Sequence, residues 1–504
     1  MRLTLLLLVA AAATPILAGC GGDETDPPAP EPEITEVSFP EGFLWGTATA
    51  GFQVEKGLAA TDWGVFAAIP GNIVGGDAPD DGPDALAHIT EDVAAMVSLG
   101  AGGYRFSIEM ARIYPTRADF DADTPSAEGL AAYDELLAAL AGAGITPLVT
   151  LHHFVWPSYL SDPTQPAEPQ GFERDDAVTV FEGYCERMAA RFGGDVDLWV
   201  TINEPTVEAS VGYLAAIWPP GVSDIDRVVQ VMKRQVEAHA RCYDAIHAAD
   251  TADADADGVA AAVSIAKHNR VYEPADPADA EDVAAAEHSR RFWNQWFLDA
   301  IIKGDVDEDF DDKLGPGDRQ GDPSLIGRAD YIGLNYYGSS VVSSRSLRLP
   351  YLGSQPSQFS IPNDRPKNDL GWDLHAAGFG AVIDEAARYG LPIMITENGT
   401  ADATDSNRSR YLLEHAFEMG KAMLRGADVR GYFHWSLVDN FEWAEGYCPR
   451  FGLYRVDFDS PDRTRTATDA VVLFHTLATG GRLGQAEVAA APAYVSRAAR
   501  CGAF

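Results

Sequence analysis

From Phe39 onward, short apolar runs alternate regularly with long Ala-rich stretches of helical character. Short apolar runs bounded by turn residues read as buried strands. Eight candidates follow one another, at 43–49, 103–108, 146–152, 198–203, 259–266, 331–335, 393–396 and 431–436. Helical stretches such as 91–99, 127–143, 177–192 and 226–249 lie between them. Eight such units without a break predict an α/β fold, a closed (β/α)8 TIM barrel, in preference to an open doubly wound sheet. No GxGxxG follows a strand and no GxxxxGK[ST] appears, so nucleotide-binding α/β folds lose their main support. The segment is longer than the ~250 residues typical of such barrels, which calls for long inserted βα loops.

Polar residues gather where the strands end. Gln53 and Glu55 follow the first strand, Arg105 and Glu109 sit in and after the second, and His152-His153 closes the third. Asn203-Glu204-Pro205 closes the fourth, Asn335-Tyr336-Tyr337 the sixth, Glu397-Asn398-Gly399 the seventh, and Trp435 the eighth. In a barrel these ends converge on one mouth, where catalytic groups collect. An Asn-Glu-Pro alone commonly opens a helix, and a Glu-Asn-Gly alone commonly makes a turn, with Gly399 allowing the chain to leave. Such placements at seven strand ends call for more than turns. Two carboxylates from well-separated strands, Glu204 and Glu397, fit glycoside hydrolysis, in which one carboxylic acid protonates the leaving oxygen and another carboxylate attacks or activates water. Arg105 and a nearby tyrosine hydroxyl would keep Glu397 ionised, and that negative charge would raise the pKa of Glu204. Trp435 and Trp443 offer flat faces for a sugar ring, and Gln53, His153, Asn203 and Glu442 can bond its hydroxyls.

The N-terminus reads differently. Met1-Arg2 and the apolar run 3–17 form a charged start and a core too short for a stable membrane span. The run ends Leu17-Ala18-Gly19-Cys20, which resembles the bacterial lipobox. The expected organisation is a signal peptide at 1–19, an acylated Cys20 opening a Pro- and acid-rich tether at 20–38, the barrel at 39–480 and a tail at 481–504. Acylation would make an exported protein a membrane-anchored one, with the lipid bilayer as partner. The formal net charge of −39 repels nucleic-acid phosphates, which sets nucleic acid aside, and it fits either solubility or salt adaptation. No Cys/His cluster indicates a metal. Cys185, Cys242, Cys448 and Cys501 allow three disulfide connectivities, of which a Cys448–Cys501 pair would hold down the tail.

Taken in order, "FLWGTATAGFQVE" (43–55), "YRFSIEMARIYP" (104–115), "TLHHFVWPSYL" (150–160), "WVTINEP" (199–205), "YIGLNYY" (331–337), "PIMITENG" (392–399) and "GYFHWSLVDNFEWAEGYCPRFGLYRVDF" (431–458) resemble glycoside hydrolase family 1, the β-glucosidase family. The resemblance implies a retaining β-glycosidase that needs no cofactor or metal and removes terminal β-glucosyl, or related β-galactosyl or β-fucosyl, residues. It makes Glu204 the acid/base and Glu397 the nucleophile, with carboxyl groups about 5–5.5 Å apart; an inverting enzyme would hold them ~6.5–9.5 Å apart. Tyr337 would bond the nucleophile, Arg105 would stand beside it, and Gln53, His153, Asn203, Glu442 and Trp443 would hold the terminal sugar over Trp435. Phe154 and "SIEMARI" depart from the commoner pattern and look like the branch with archaeal-type β-glycosidases. Retention of Glu442 implies a non-phosphorylated glycone, and aglycone choice falls to inserted loops such as 159–173 and 339–371. The rival reading is an inert carbohydrate-binding lipoprotein on the same barrel.

Overall fold

A computed structural model describes residues 34–354, 365–497 and 499–501. The expected signal peptide and Cys20 lie outside the described residues. Eight parallel strands close a barrel in chain order: β1 (Leu44–Ala48), β2 (Gly103–Ser107), β3 (Thr146–His152), β4 (Leu198–Asn203), β5 (Ala262–His268), β6 (Ile332–Tyr336), β7 (Ile393–Asn398) and β8 (Val429–Trp435). β8 returns to β1, where Gly431 stands opposite Leu44 and Trp435 opposite Ala48. Consecutive parallel neighbours require a crossover each time, and the Ala-rich helices supply it.

The barrel interior has two levels. Ala48, Leu148, Val200, Ala266, Met394 and Phe433, from six different strands, form one buried apolar cluster. Above it, towards the strand ends, the inward side chains turn polar. The helices shield the outer faces. Ala177–Phe192 packs against the 25-residue helix Ile225–Ala249, and fully buried Cys185 and Cys242 join the two as a disulfide. Closing a loop of this length restricts the unfolded chain by roughly 4 kcal/mol in the chain-entropy account.

Several boundaries differ from the sequence reading. β5 runs on to His268 instead of stopping at Ala266, and β7 runs on through Glu397 to Asn398. Glu36–Ser38, expected in the tether, is a short strand antiparallel to Arg482–Gly484 of the expected tail. The tail is held again by the disulfide Cys448–Cys501. Gly399 is not a left-handed turn position: a Cβ there would meet the Trp435 carbonyl oxygen at 1.8 Å, so β7 and β8 approach too closely for a side chain.

Candidate active site

Arg105, on β2, is fully buried and organises the polar level. Its Nε donates to Thr150 Oγ1 at 3.0 Å, its Nη1 to Glu397 Oε1 at 2.6 Å, and its Nη2 to Asn203 Oδ1 at 2.8 Å. A buried guanidinium is tolerated only when its planar donors are satisfied, and here β3, β4 and β7 each supply an acceptor. The Tyr337 hydroxyl donates to the other oxygen of Glu397 at 2.7 Å. Asn335, on β6, donates to Asn203 Oδ1 at 3.2 Å and to Glu204 Oε1 at 2.7 Å, and accepts from Thr396 Oγ1 at 2.6 Å. One connected network therefore fixes both carboxylates.

Asn203-Glu204-Pro205 does open a helix, Pro205–Tyr213, with the proline in its first turn. Yet Glu204 makes no capping bond with its side chain, which points to Asn335 and the cavity. Its backbone is left-handed, at φ 43°, as are those of Phe154 (67°) and Trp443 (54°). All three non-glycine residues line the same cavity, where such strain commonly accompanies function.

The two carboxyls differ electrostatically. Burial, and then the charge of Glu397, pushes Glu204 up to about 8. The ordering corrects the sequence argument, in which the neighbouring charge came first. Burial raises Glu397 as well, but Arg105, Tyr337 and Asn335 counter it. With the cation on Glu397, the negative charge of the pair belongs there and the proton to Glu204.

Around the carboxylates opens a cavity of about 400 Å³. Gln53, His153, Glu204, Tyr337, Glu397, Trp435, Glu442 and Trp443 all line it, and buried Asn203 and Arg105 sit beneath. His153 stacks near-parallel with Trp435 and Trp443, at ring-centre distances of 5.8 and 6.0 Å. Asn203 donates to His153 Nε2 at 3.3 Å, which leaves the proton on Nδ1. Burial and Arg105 hold that imidazole neutral. His153 Nδ1 and Gln53 Oε1 are buried without partners among the described residues, one a donor and one an acceptor. Gln53 is oriented by bonds to Asn440 Oδ1 and the Phe441 carbonyl, both at 3.0 Å. Burial and the acids Glu445, Glu397 and Glu204 push Glu442 well up.

Other strand-end residues serve the scaffold. Glu55 pairs with Arg112 at 2.8 Å, Glu109 accepts from Ser107 at 2.7 Å, and His152 pairs with Glu208 at 3.0 Å. None of these lines the cavity. The sequence reading missed Trp218, Trp293, Trp372, His268 and Arg270, all on the cavity wall. A signal for His268 and Arg270 existed in Lys267-His268-Asn269-Arg270, the tip of β5, but ending that strand at Ala266 hid it. The tryptophans come from loops and a helix without readable periodicity. Of the loops expected to govern the aglycone, 339–371 contributes Ser340, Leu352 and Leu370, whereas 159–173 contributes no lining residue.

A closed parallel barrel with two buried carboxylates at separate strand ends, one holding a cation and the other a proton, has the arrangement of a glycoside hydrolase. The chain belongs to glycosyl hydrolase family 1, whose model matches residues 35–481. It is 33% identical over 503 residues to a β-galactosidase of Pyrococcus woesei, covering 88% of this chain and 98% of that protein. It is 33% identical over 447 residues to β-glucosidase A of Thermotoga maritima, covering 84% and 94%. Among solved structures, the family 1 β-glucosidase from Thermotoga maritima superposes with a TM-score of 0.77 at 30% identity, covering 89% of this chain and 99% of that one. The Thermotoga enzyme in complex with glucoimidazole gives 0.76.

Proposed function

We propose that this protein is a retaining β-glycosidase that removes terminal, non-phosphorylated β-glucosyl or closely related residues in two displacements. The observation that carries this reading is the asymmetry of the carboxylates: Arg105 and Tyr337 both bond Glu397, while among the described residues only the Asn335 amide bonds the Glu204 side chain. Glu397 attacks the anomeric carbon as Glu204 gives its proton to the departing glycosidic oxygen, and the leaving group exits as an alcohol. Glu204, now a carboxylate, takes a proton from water, whose oxygen attacks the same carbon and frees Glu397. Gln53 Oε1 and His153 Nδ1 meet the sugar hydroxyls, and Trp435 and Trp443 meet its C–H face. Among the described residues Glu442 has no cation beside it, which disfavours a phosphorylated sugar.

The test is hydrolysis of a panel of nitrophenyl β-glucosides, galactosides and fucosides, with the anomer of the first-formed sugar followed by NMR. Turnover with release of the β-anomer is expected. Release of the α-anomer would mean an inverting enzyme, and binding of sugars without turnover would restore the inert reading.

The leader supports a further part of the proposal, an exported protein anchored by acyl chains on Cys20. Mass spectrometry of the mature N-terminus should find a lipidated cysteine, and Cys20→Ser should shift the protein from the membrane to the soluble fraction. An unmodified Cys20 in the membrane fraction would sink the idea.

A further inference from the structure

The outer part of the active-site cavity is chemically two-sided. The helix after β4 and the segment following it bring Val211, Ile217 and Trp218, an apolar wall. The tip of β5 and the segment beyond bring His268, Arg270 and Trp293. Arg270 is firmly placed: its N–H donates to Asn294 Oδ1 at 3.0 Å, and its carbonyl accepts from Asn294 Nδ2 at 2.9 Å. Its Nη2 reaches the Ser339 carbonyl at 3.0 Å, which holds the guanidinium without neutralising it. The chain carries 76 acidic against 37 basic side chains, yet among the described residues Arg270 has no carboxylate partner. Its Nε is buried and, among the described residues, unpartnered, so donors remain for something else. His268, 92% buried, has neither ring nitrogen partnered among the described residues and lies edge-on to Trp293, with ring centres 5.9 Å apart. Burial and the cations Arg270 and Lys267 keep that imidazole neutral, so one of its nitrogens carries a proton to donate.

A half-buried cation whose buried Nε has no partner, beside a buried imidazole donor, calls for an anion, because a charge-assisted hydrogen bond satisfies both donors where water is partly excluded. The tryptophans and the apolar wall call for a flat hydrophobic body beside it. We propose that the leaving-group side of this site takes aryl β-glycosides that bear a carboxylate on the aryl ring, with Arg270 as the specificity-determining cation and His268 as a second donor. The proposal rests on the glycosidase reading. A neutral second sugar would use the tryptophans but leave the guanidinium uncompensated.

The test compares 4-carboxyphenyl β-D-glucoside with its uncharged carboxamide, reading the ratio of kcat/KM for acid over amide. Changing Arg270→Gln should lower that ratio about tenfold, the scale of one charge-assisted hydrogen bond. Arg270→Lys, which keeps the charge but loses the planar fork, should fall between. An unchanged ratio in Arg270→Gln overturns the proposal while leaving the glycosidase reading intact. Failure of the wild type to cleave either compound while it cleaves 4-nitrophenyl β-D-glucoside overturns this inference alone, and failure on the whole nitrophenyl panel as well overturns the glycosidase reading and this inference with it. Should Arg270→Gln not fold, inhibition of the wild type decides: benzoate binding more tightly than benzamide supports the proposal, and equal or weaker binding overturns it.

Discussion

Around Glu397 the barrel provides a guanidinium, a phenol and an amide, whereas around Glu204 it provides one amide and, among the described residues, no ion pair. Both side chains are almost fully buried, so desolvation acts on both, and the difference lies in what opposes it. Two chemically identical residues are thereby given opposite tasks, as anion and as acid. The same contrast recurs across the cavity. The sugar end holds its groups in oriented bonds and keeps one acceptor, Gln53 Oε1, and one donor, His153 Nδ1, for the ring, while the outer end offers the open nitrogens of Arg270 and His268 against apolar walls.

The largest break in this comparison is Glu397→Gln, which removes the attacking oxygen while keeping the shape. It should lower kcat by roughly ten-thousandfold or more on any β-glucoside. Residual activity within about a hundredfold of wild type would move the nucleophile elsewhere. Glu204→Ala should depend on the leaving group: a loss of about a hundred- to ten-thousandfold for an alkyl glucoside, where protonation is essential, and far less for a dinitrophenyl glucoside. Added azide should restore turnover of the reactive substrate and yield the β-glycosyl azide. An α-azide, or an equal loss on both substrates, would remove Glu204 from the acid/base role.

Much of this asymmetry was legible in the sequence, and the reason is architectural. A barrel converts "end of strand" into "rim of the mouth", so Asn203, Glu204, Glu397 and Trp435 could be gathered from strand ends, and Arg105 from within the second strand. What failed was discrimination among strand ends. Glu55, Glu109 and His152 occupy equivalent places but find Arg112, Ser107 and Glu208, partners that no local pattern reveals. The tip of β5 failed for another reason. Lys267 and His268 are polar residues within a strand whose apolar run had ended, so periodicity cut it short. Lys267 is fully buried, its ammonium donating to the His268 carbonyl at 2.8 Å, and burial lowers its pKa to about 7. The outer wall was least legible, because Trp218, Trp293 and Trp372 converge from segments distant in sequence.

The subtlest test leaves both carboxylates in place and changes only their surroundings. The alkaline limb of kcat/KM reports loss of the Glu204 proton and should lie near pH 8, where burial and Glu397 place that group. The acid limb reports protonation of Glu397. Tyr337 donates a hydrogen bond to the Glu397 carboxylate, which favours its charged form and so lowers its pKa. In Tyr337→Phe that contribution is gone, the Glu397 pKa rises, and the acid limb should move to higher pH by about one unit, the equivalent of one hydrogen bond to a charged group. The alkaline limb should stay in place, because near pH 8 Glu397 remains an anion held by Arg105 and still acts on Glu204. The bell should therefore narrow from its acid side alone. Movement of both limbs by the same amount would show that Tyr337 acts on the pair as a unit, and the division of anion and acid between Glu397 and Glu204 would then have to be abandoned.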